Sequence, residues 1–159
     1  MIEYGTFHKT ESRYTLRFDR FLPHQEVENV WRILTDPVHF SKWYPFATGE
    51  MELKLGGIIF FDDGEGSTYE GIITEFEPPR VFAFREIDDI LHIELQSEDQ
   101  GCRMIFTHTF DDQSMAVNTA AGWHRCLDAF GMIVDGKPVE WPDNSADLRK
   151  AYKDAFDLS

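Results

Sequence analysis

The sequence predicts an α+β fold in which a curved antiparallel sheet is covered on one face by a long helix near the C-terminus. Three observations predict it. Strand-like runs joined by short turn sequences dominate positions 50–110. They are linked locally, as hairpins, which implies antiparallel pairing. Then Ala116, Ala120, Trp123, Leu127, Phe130 and Val134 fall on one helical stripe. A helix of that kind hides its apolar stripe by lying across the sheet, an arrangement that often encloses a cavity.

The elements follow in order. Tyr14, Leu16 and Phe18 alternate with Thr15, Arg17 and Asp19, the period of a half-buried strand. Pro23 is expected to open a helix, since proline in the first turn gives up no hydrogen bond. Val27, Val30, Trp31 and Leu34 would form its buried face. Asp36-Pro37 reads as a second helix start, leading through Phe40 to Trp43. Met51, Leu53 and Leu55 then alternate with Glu50, Glu52 and Lys54 up to a Gly56-Gly57 turn. The return strand Ile58-Ile59-Phe60-Phe61 is apolar throughout, so its inward face is not decided by pattern, and coverage of both faces is open. Asp62-Asp63-Gly64-Glu65-Gly66 makes the next turn. Strands at 69–76 and 81–84 flank Pro78-Pro79.

The last hairpin turns at 97–101, and here register can be argued. Leu91, Ile93 and Leu95 share one face of the first strand; Cys102, Met104, Phe106, His108 and Phe110 share one face of the second. The two apolar sets meet only in a pairing such as Ile93 with Phe106, because a one-residue slip would send one set outward. That register turns His108 toward the core and His92 away. Asp111-Asp112 ends the sheet and caps the long helix, which Gly136 can close. Asn144 or Ser145 starts a final helix with Leu148, Tyr152 and Phe156 on one side.

A chain of 159 residues supports one buried core, read as a single domain over 1–159 with an N-terminal extension over 1–12 and a short C-terminal helix over 143–157. With 42% hydrophobic and 28% charged residues it is composed like a soluble globular protein. The formal charge of −14 repels phosphate backbones and anionic lipid, which argues against nucleic-acid and membrane binding. The N-terminal residues lack the basic start and apolar run of a secretion signal, so the expected location is cytoplasmic. Cys102 and Cys126 are expected to be free and buried.

Val30-Trp31-Arg32-Ile33-Leu34-Thr35-Asp36-Pro37, Trp43, Gly56-Gly57, Gly71, Pro78-Pro79-Arg80, 107–112 and 121–128 occur in an order and spacing that resembles the START-like (SRPBCC) superfamily. Within it the chain is similar to the bacterial proteins related to the activator of heat-shock-protein-90 ATPase. The resemblance covers 14–156. It implies the helix-grip fold: about six to seven strands wrapped around the long C-terminal helix, with two short helices after the first strand. It does not imply one activity, because the superfamily spans lipid carriers, aromatase/cyclases, hormone receptors and cochaperone domains.

Candidate chemistry is sparse. The glycine pairs lack the P-loop lysine and the Rossmann spacing, and the acidic turn at 62–66 lacks calcium-loop spacing. His108 and His124 could approach each other near Cys102 and Cys126, but no pair has zinc-ligand spacing. No catalytic residue, metal or cofactor is predicted. Ligand sites are mainly apolar with a few polar groups, so the aromatic surplus points to a pocket. Trp123, Leu127 and Phe130 are expected on its helix side, Trp43, Phe61, Tyr69, Phe82, Phe84 and Phe106 on its walls, and His108 as the orienting polar group. An acidic ligand would need Arg85 or Arg103 to face inward. The expected function is binding of a small, largely apolar molecule, by a monomer or homodimer. A protein-interaction module with a chaperone-type partner is one alternative. An enzyme with His108 as acid–base is another, but it requires a second convergent polar group that the pattern does not supply.

Overall fold

Alternation of apolar side chains decides most of the sheet. In the computed structural model, which describes residues 4–157, eight strands pair antiparallel in the order β1-β2-β8-β7-β6-β5-β4-β3. They are β1 (Thr6–Thr10), β2 (Arg13–Pro23), β3 (Ala47–Met51), β4 (Ile58–Asp62), β5 (Thr68–Glu77), β6 (Val81–Glu86), β7 (Asp89–Glu98) and β8 (Gly101–Phe110). Helices α1 (Val27–Thr35) and α2 (Pro37–Trp43) carry the chain from β2 across to β3, at the opposite edge. A 3-10 turn (Gln113–Met115) leads into α3 (Ala116–Val134), and α4 (Ser145–Phe156) follows. This is the predicted α+β helix-grip arrangement, with eight strands instead of six to seven.

Ile93 pairs with Phe106, as the apolar sets require. The register then runs across the sheet: Phe18, Phe106, Ile93 and Phe82 form one inner row, and Leu16, His108, Leu91 and Phe84 the next. A one-residue slip at any pair would expose a whole apolar set. The predicted stripe of α3 is buried along its length, from Ala116 to Val134. The Asp36 side chain accepts from the Val38 amide at 3.0 Å, with Pro37 at the first helical position, as its sequence implied. Gly136 stops α3 at φ +73.

The structure corrects the sequence reading at five places. Part of the expected N-terminal extension is β1, which pairs with β2 from Thr6 to Thr10. Of its residues only Phe7 packs against the core, so it shows no alternation to read. Pro23 does not open a helix; it ends β2 opposite Gly101, where a missing amide costs no interior ladder bond, and α1 begins four residues later. Leu53 and Leu55 are not in a strand and are 39% and 68% exposed. The chain leaves β3 at Met51 and turns sharply through Gly57, where a Cβ would stand 2.0 Å from the Glu52 carbonyl oxygen. β4 is not covered equally on both faces: Ile59 and Phe61 are buried while Phe60 is 36% exposed. At the start of α4, Asn144 occupies the cap position but makes no side-chain cap hydrogen bond.

Candidate functional site

Nine of the ten residues expected to line a pocket are buried between the sheet and α3: Trp43, Phe61, Phe82, Phe84, Phe106, His108, Trp123, Leu127 and Phe130. Tyr69 is half-buried beside them and stacks on Phe61 at 5.0 Å between ring centres. The rings touch one another. Trp43 meets Phe130 at 5.2 Å, Phe106 meets Trp123 at 4.8 Å, and Phe82 meets Phe84 at 5.4 Å. Tyr44 stands in their midst, 5.1 Å from Trp123, 5.5 Å from Phe84 and 5.6 Å from Phe61. Side chains therefore occupy the space between helix and sheet at this level. A cleft of about 400 Å³ across β3, β4 and β5 reaches Phe61 and Tyr69 from the sheet edge, with Glu50, Asp62 and Glu70 giving it an acidic rim.

Within this aromatic layer lies a polar cluster. The Trp123 indole Nε1 donates to His108 Nδ1 at 2.8 Å. Indole can only donate, so Nδ1 accepts, and His108 is the neutral tautomer whose Nε2–H donates to Asp89 Oδ2 at 2.8 Å. Next to this relay the Tyr44 hydroxyl donates to Glu86 Oε1 at 2.6 Å. Burial raises the Glu86 carboxyl above its ordinary range, opposed by the Tyr44 hydrogen bond. Burial and the neighbouring Glu86 charge push Tyr44 well above its ordinary value and Tyr69 up to about 12. The cluster thus holds a neutral histidine, a proton-retentive carboxyl and two phenols reluctant to ionise.

Glu86 and Asp89 pair with each other across the β6–β7 turn. They were not among the expected site residues, although the signal was present. Glu86 shares the parity of Phe84, and Asp89 that of Leu91, so period two places both on the inner face. Tyr44 lies just beyond α2, where no period reaches. Trp43 holds another unexpected feature: its buried Nε1–H has no acceptor among the described residues.

The other chemistry-bearing residues do not join the cluster. His124 lies about 100° around α3 from Trp123 and shares a 2.7 Å hydrogen bond with the Tyr152 hydroxyl, which also accepts from the Gly5 amide at 2.9 Å. Its Nε2 is 3.8 Å from Asp128, which pairs with Arg20 at 2.7 Å. Cys102 and Cys126 are free, and burial raises both thiols, to about 11 and about 12, which leaves them poor nucleophiles. Arg85 is exposed, and Arg103 pairs with Asp19 and Glu98. The arginine that faces inward is Arg20, 12% exposed and already engaged by Asp128. Among the described residues no group of three His, Cys, Asp or Glu is placed to hold a metal ion, and no helix is long and apolar enough to cross a membrane.

Several solved structures share this architecture. A conserved protein of unknown function, EF2215 from Enterococcus faecalis, superposes with a TM-score of 0.83 at 15% identity, over 96% of this chain and 90% of that one. CalU16 from Micromonospora echinospora gives 0.75 at 20% identity, over 98% and 94%. An AHSA1-like protein from Aeromonas hydrophila gives 0.65 at 22% identity, over 77% and 92%. At these identities the likeness establishes the fold alone. No curated protein sequence matches the chain. The sequence profile of the family described as "Activator of Hsp90 ATPase homolog 1-like protein" matches residues 24–135, from just after β2 to the end of α3. That span holds α1, α2, six of the strands, the long helix and the whole polar cluster, and on it the chain belongs to the Activator of Hsp90 ATPase homolog 1-like family, with a START-like fold.

Proposed function

We propose that this chain is a cytoplasmic binding protein for a small, largely apolar ligand taken up between the sheet and α3. Trp43, Phe61, Tyr69, Phe82, Phe84, Phe106, Trp123, Leu127 and Phe130 supply the apolar surround, and His108 is the orienting polar group. The observation that carries this reading is the convergence of the Asp89–His108–Trp123 relay with the Tyr44–Glu86 pair inside an aromatic layer. A few placed polar groups on an apolar wall are what such sites need to fix orientation. The unpartnered Trp43 N–H supports it, since a ligand oxygen would satisfy that donor. Because Tyr44 and Trp123 fill the layer, uptake requires the Tyr44 ring to move, so binding is coupled to rearrangement of the segment after α2.

Native mass spectrometry of protein purified from its own host tests the reading. The expected result is a small-molecule adduct that is lost on denaturation and weakened by His108→Ala. A bare-chain mass under native conditions, unchanged after incubation with host extract, would overturn it.

Glu86 favours one second reading, an acid–base enzyme. It is the second convergent group that the sequence pattern did not supply, and its raised carboxyl retains a proton more readily than a free one. Conversion of the retained molecule by wild-type protein and not by Glu86→Gln, at equal occupancy, would select the enzyme. The interaction-module reading rests on the family description.

A further inference from the structure

The face of α3 turned away from the sheet packs against α4, and between the two helices lies a cleft of about 230 Å³ lined by Asn118, Ala121, Gly122, Arg125, Ser145 and Arg149. Helical spacing explains the set. Asn118, Ala121, Gly122 and Arg125 recur at three and four residues along α3, and Ser145 and Arg149 are four apart on α4. Ala121 and Gly122 keep the floor low, and a Cβ at Gly122 would meet nothing.

Arg125 and Arg149 stand side by side in a strongly acidic chain. It has 29 acidic residues against 15 lysines and arginines, and Arg13, Arg17, Arg20 and Arg103 each pair with a carboxylate. Arg125 and Arg149, like Arg32, Arg80 and Arg85, form no ion pair among the described residues. Arg125 is nevertheless held in place. Its Nη2 donates to the Pro142 carbonyl at 3.0 Å, its guanidinium lies 5.5 Å from the Trp141 ring centre, and its buried Nε has no partner. An immobilised guanidinium with spare donors has already lost the side-chain freedom that binding would otherwise cost.

We propose that this cleft is a binding site for a small tetrahedral oxyanion, inorganic phosphate or the phosphate of a small monoester, held by Arg125 and Arg149 with the Ser145 hydroxyl and Asn118 amide. Two guanidiniums, a hydroxyl and an amide form a donor set suited to phosphate oxygens, and charge-assisted bonds of this kind are the strong ones. The cleft is smaller than the roughly 300–1,000 Å³ of sites for drug-sized ligands, which suits an ion or head group and excludes a bulky molecule. The charge of −14 opposes any anion, but at 0.1 M salt that field is screened beyond about 10 Å, whereas contacts inside the cleft are not. Asp147 is two residues from Ser145, a spacing that turns it off this face of α4. Asn118, Ala121, Gly122 and Arg125 lie within the 24–135 family match, and Ser145 and Arg149 lie beyond it.

Titration of the whole chain with inorganic phosphate at about 0.1 M salt, followed by amide NMR, tests this. The expected result is saturable shifts, in roughly the millimolar range, centred on Gly122, Arg125, Ser145 and Arg149. Arg149→Gln, an exposed change that leaves the fold intact, should weaken binding by about tenfold, the scale of one charge-assisted hydrogen bond. Gly122→Glu, which has open space for its side chain, should abolish it. A parallel titration with glycerol 1-phosphate identifies the source: equal affinity assigns the free ion and tighter binding the ester, both supporting the site. Shifts no larger than those from sodium chloride of equal ionic strength, or unchanged binding in Arg149→Gln, would overturn the proposal.

Discussion

Trp123 turns its indole to the sheet and donates to His108, whereas His124, the next residue on α3, turns to α4 and meets Tyr152. Both histidines, 108 and 124, are buried, hydrogen-bonded to an aromatic side chain and near one aspartate. They differ in what lies beyond. The His108 relay ends in Asp89, and Glu86 and Tyr69 stand beside it; all three are half-buried and attached to the β6–β7 turn and the sheet edge. The His124 network ends in a backbone amide, Gly5, and in Arg20 under the helix. The Tyr4 ring covers it, 5.2 Å from His124 and 5.6 Å from Tyr152. One network leads outward to groups that can exchange partners; the other ties the N-terminal segment to α3 and α4. Buried histidine chemistry alone does not mark a function.

The sharpest way to break this distinction is to remove its hinge. Trp123→Ala deletes a buried ring packed on Tyr44 and Phe106 and should cost about 3–5 kcal/mol, measured by chemical denaturation. Wild-type stability would mean that the helix does not rest on the sheet through this residue. Tyr152→Phe comes next. It leaves the Gly5 N–H buried without an acceptor, for about 1–3 kcal/mol, and it should speed proteolytic clipping near the N-terminus while leaving any ligand mass adduct in place. Loss of the adduct would show that the His124 network serves the site too.

How much of this was legible follows from the kind of signal each part carries. The inner rows of β2, β7 and β8 and the α3 stripe were legible because burial on one face imposes a period. His108 was placed by the same rule, since one register decides every side chain in the pair. Leu53 and Leu55 alternate as well as any strand residue, yet the backbone contact at Gly57 takes the chain out of the sheet there. β1 is an edge strand held by backbone bonds, with little apolar content to announce it. The polar cluster was half legible. His108 lies inside an apolar alternation that fixes its face, whereas Glu86 and Asp89 lie at strand ends, where no apolar residue continues the period to mark them. Arg20 was missed for the opposite reason: a charged residue at an inward position reads as a break in the pattern until Asp128 is seen opposite it.

The two networks should also respond to pH in opposite directions. Burial holds the His124 imidazole below its ordinary 6.5, with Asp128 opposing and Arg20 assisting. Below 6.5 the unfolded chain therefore binds more protons at this position than the folded one. The His124 contribution is complete above 6.5 and declines as pH falls toward the folded value. His124→Gln should flatten that part of the stability–pH curve, and an unchanged slope would remove His124 as its source.

Glu86 gives the smallest effect, of reversed sign. Burial raises its carboxyl above 4.5, so above 4.5 the folded state holds more protons than the unfolded chain, and stability declines as pH rises toward the folded value. Glu86→Gln keeps an oxygen to accept from Tyr44 and removes the charge. At pH 4 the variant should match wild type. At pH 7 it should be the more stable of the two by less than about 1 kcal/mol, within the scale of one hydrogen bond. A variant less stable at pH 7 than at pH 4, relative to wild type, would mean that the ionised carboxylate is stabilising where it stands. The outward network would then be a structural tie of the same kind as the His124 network.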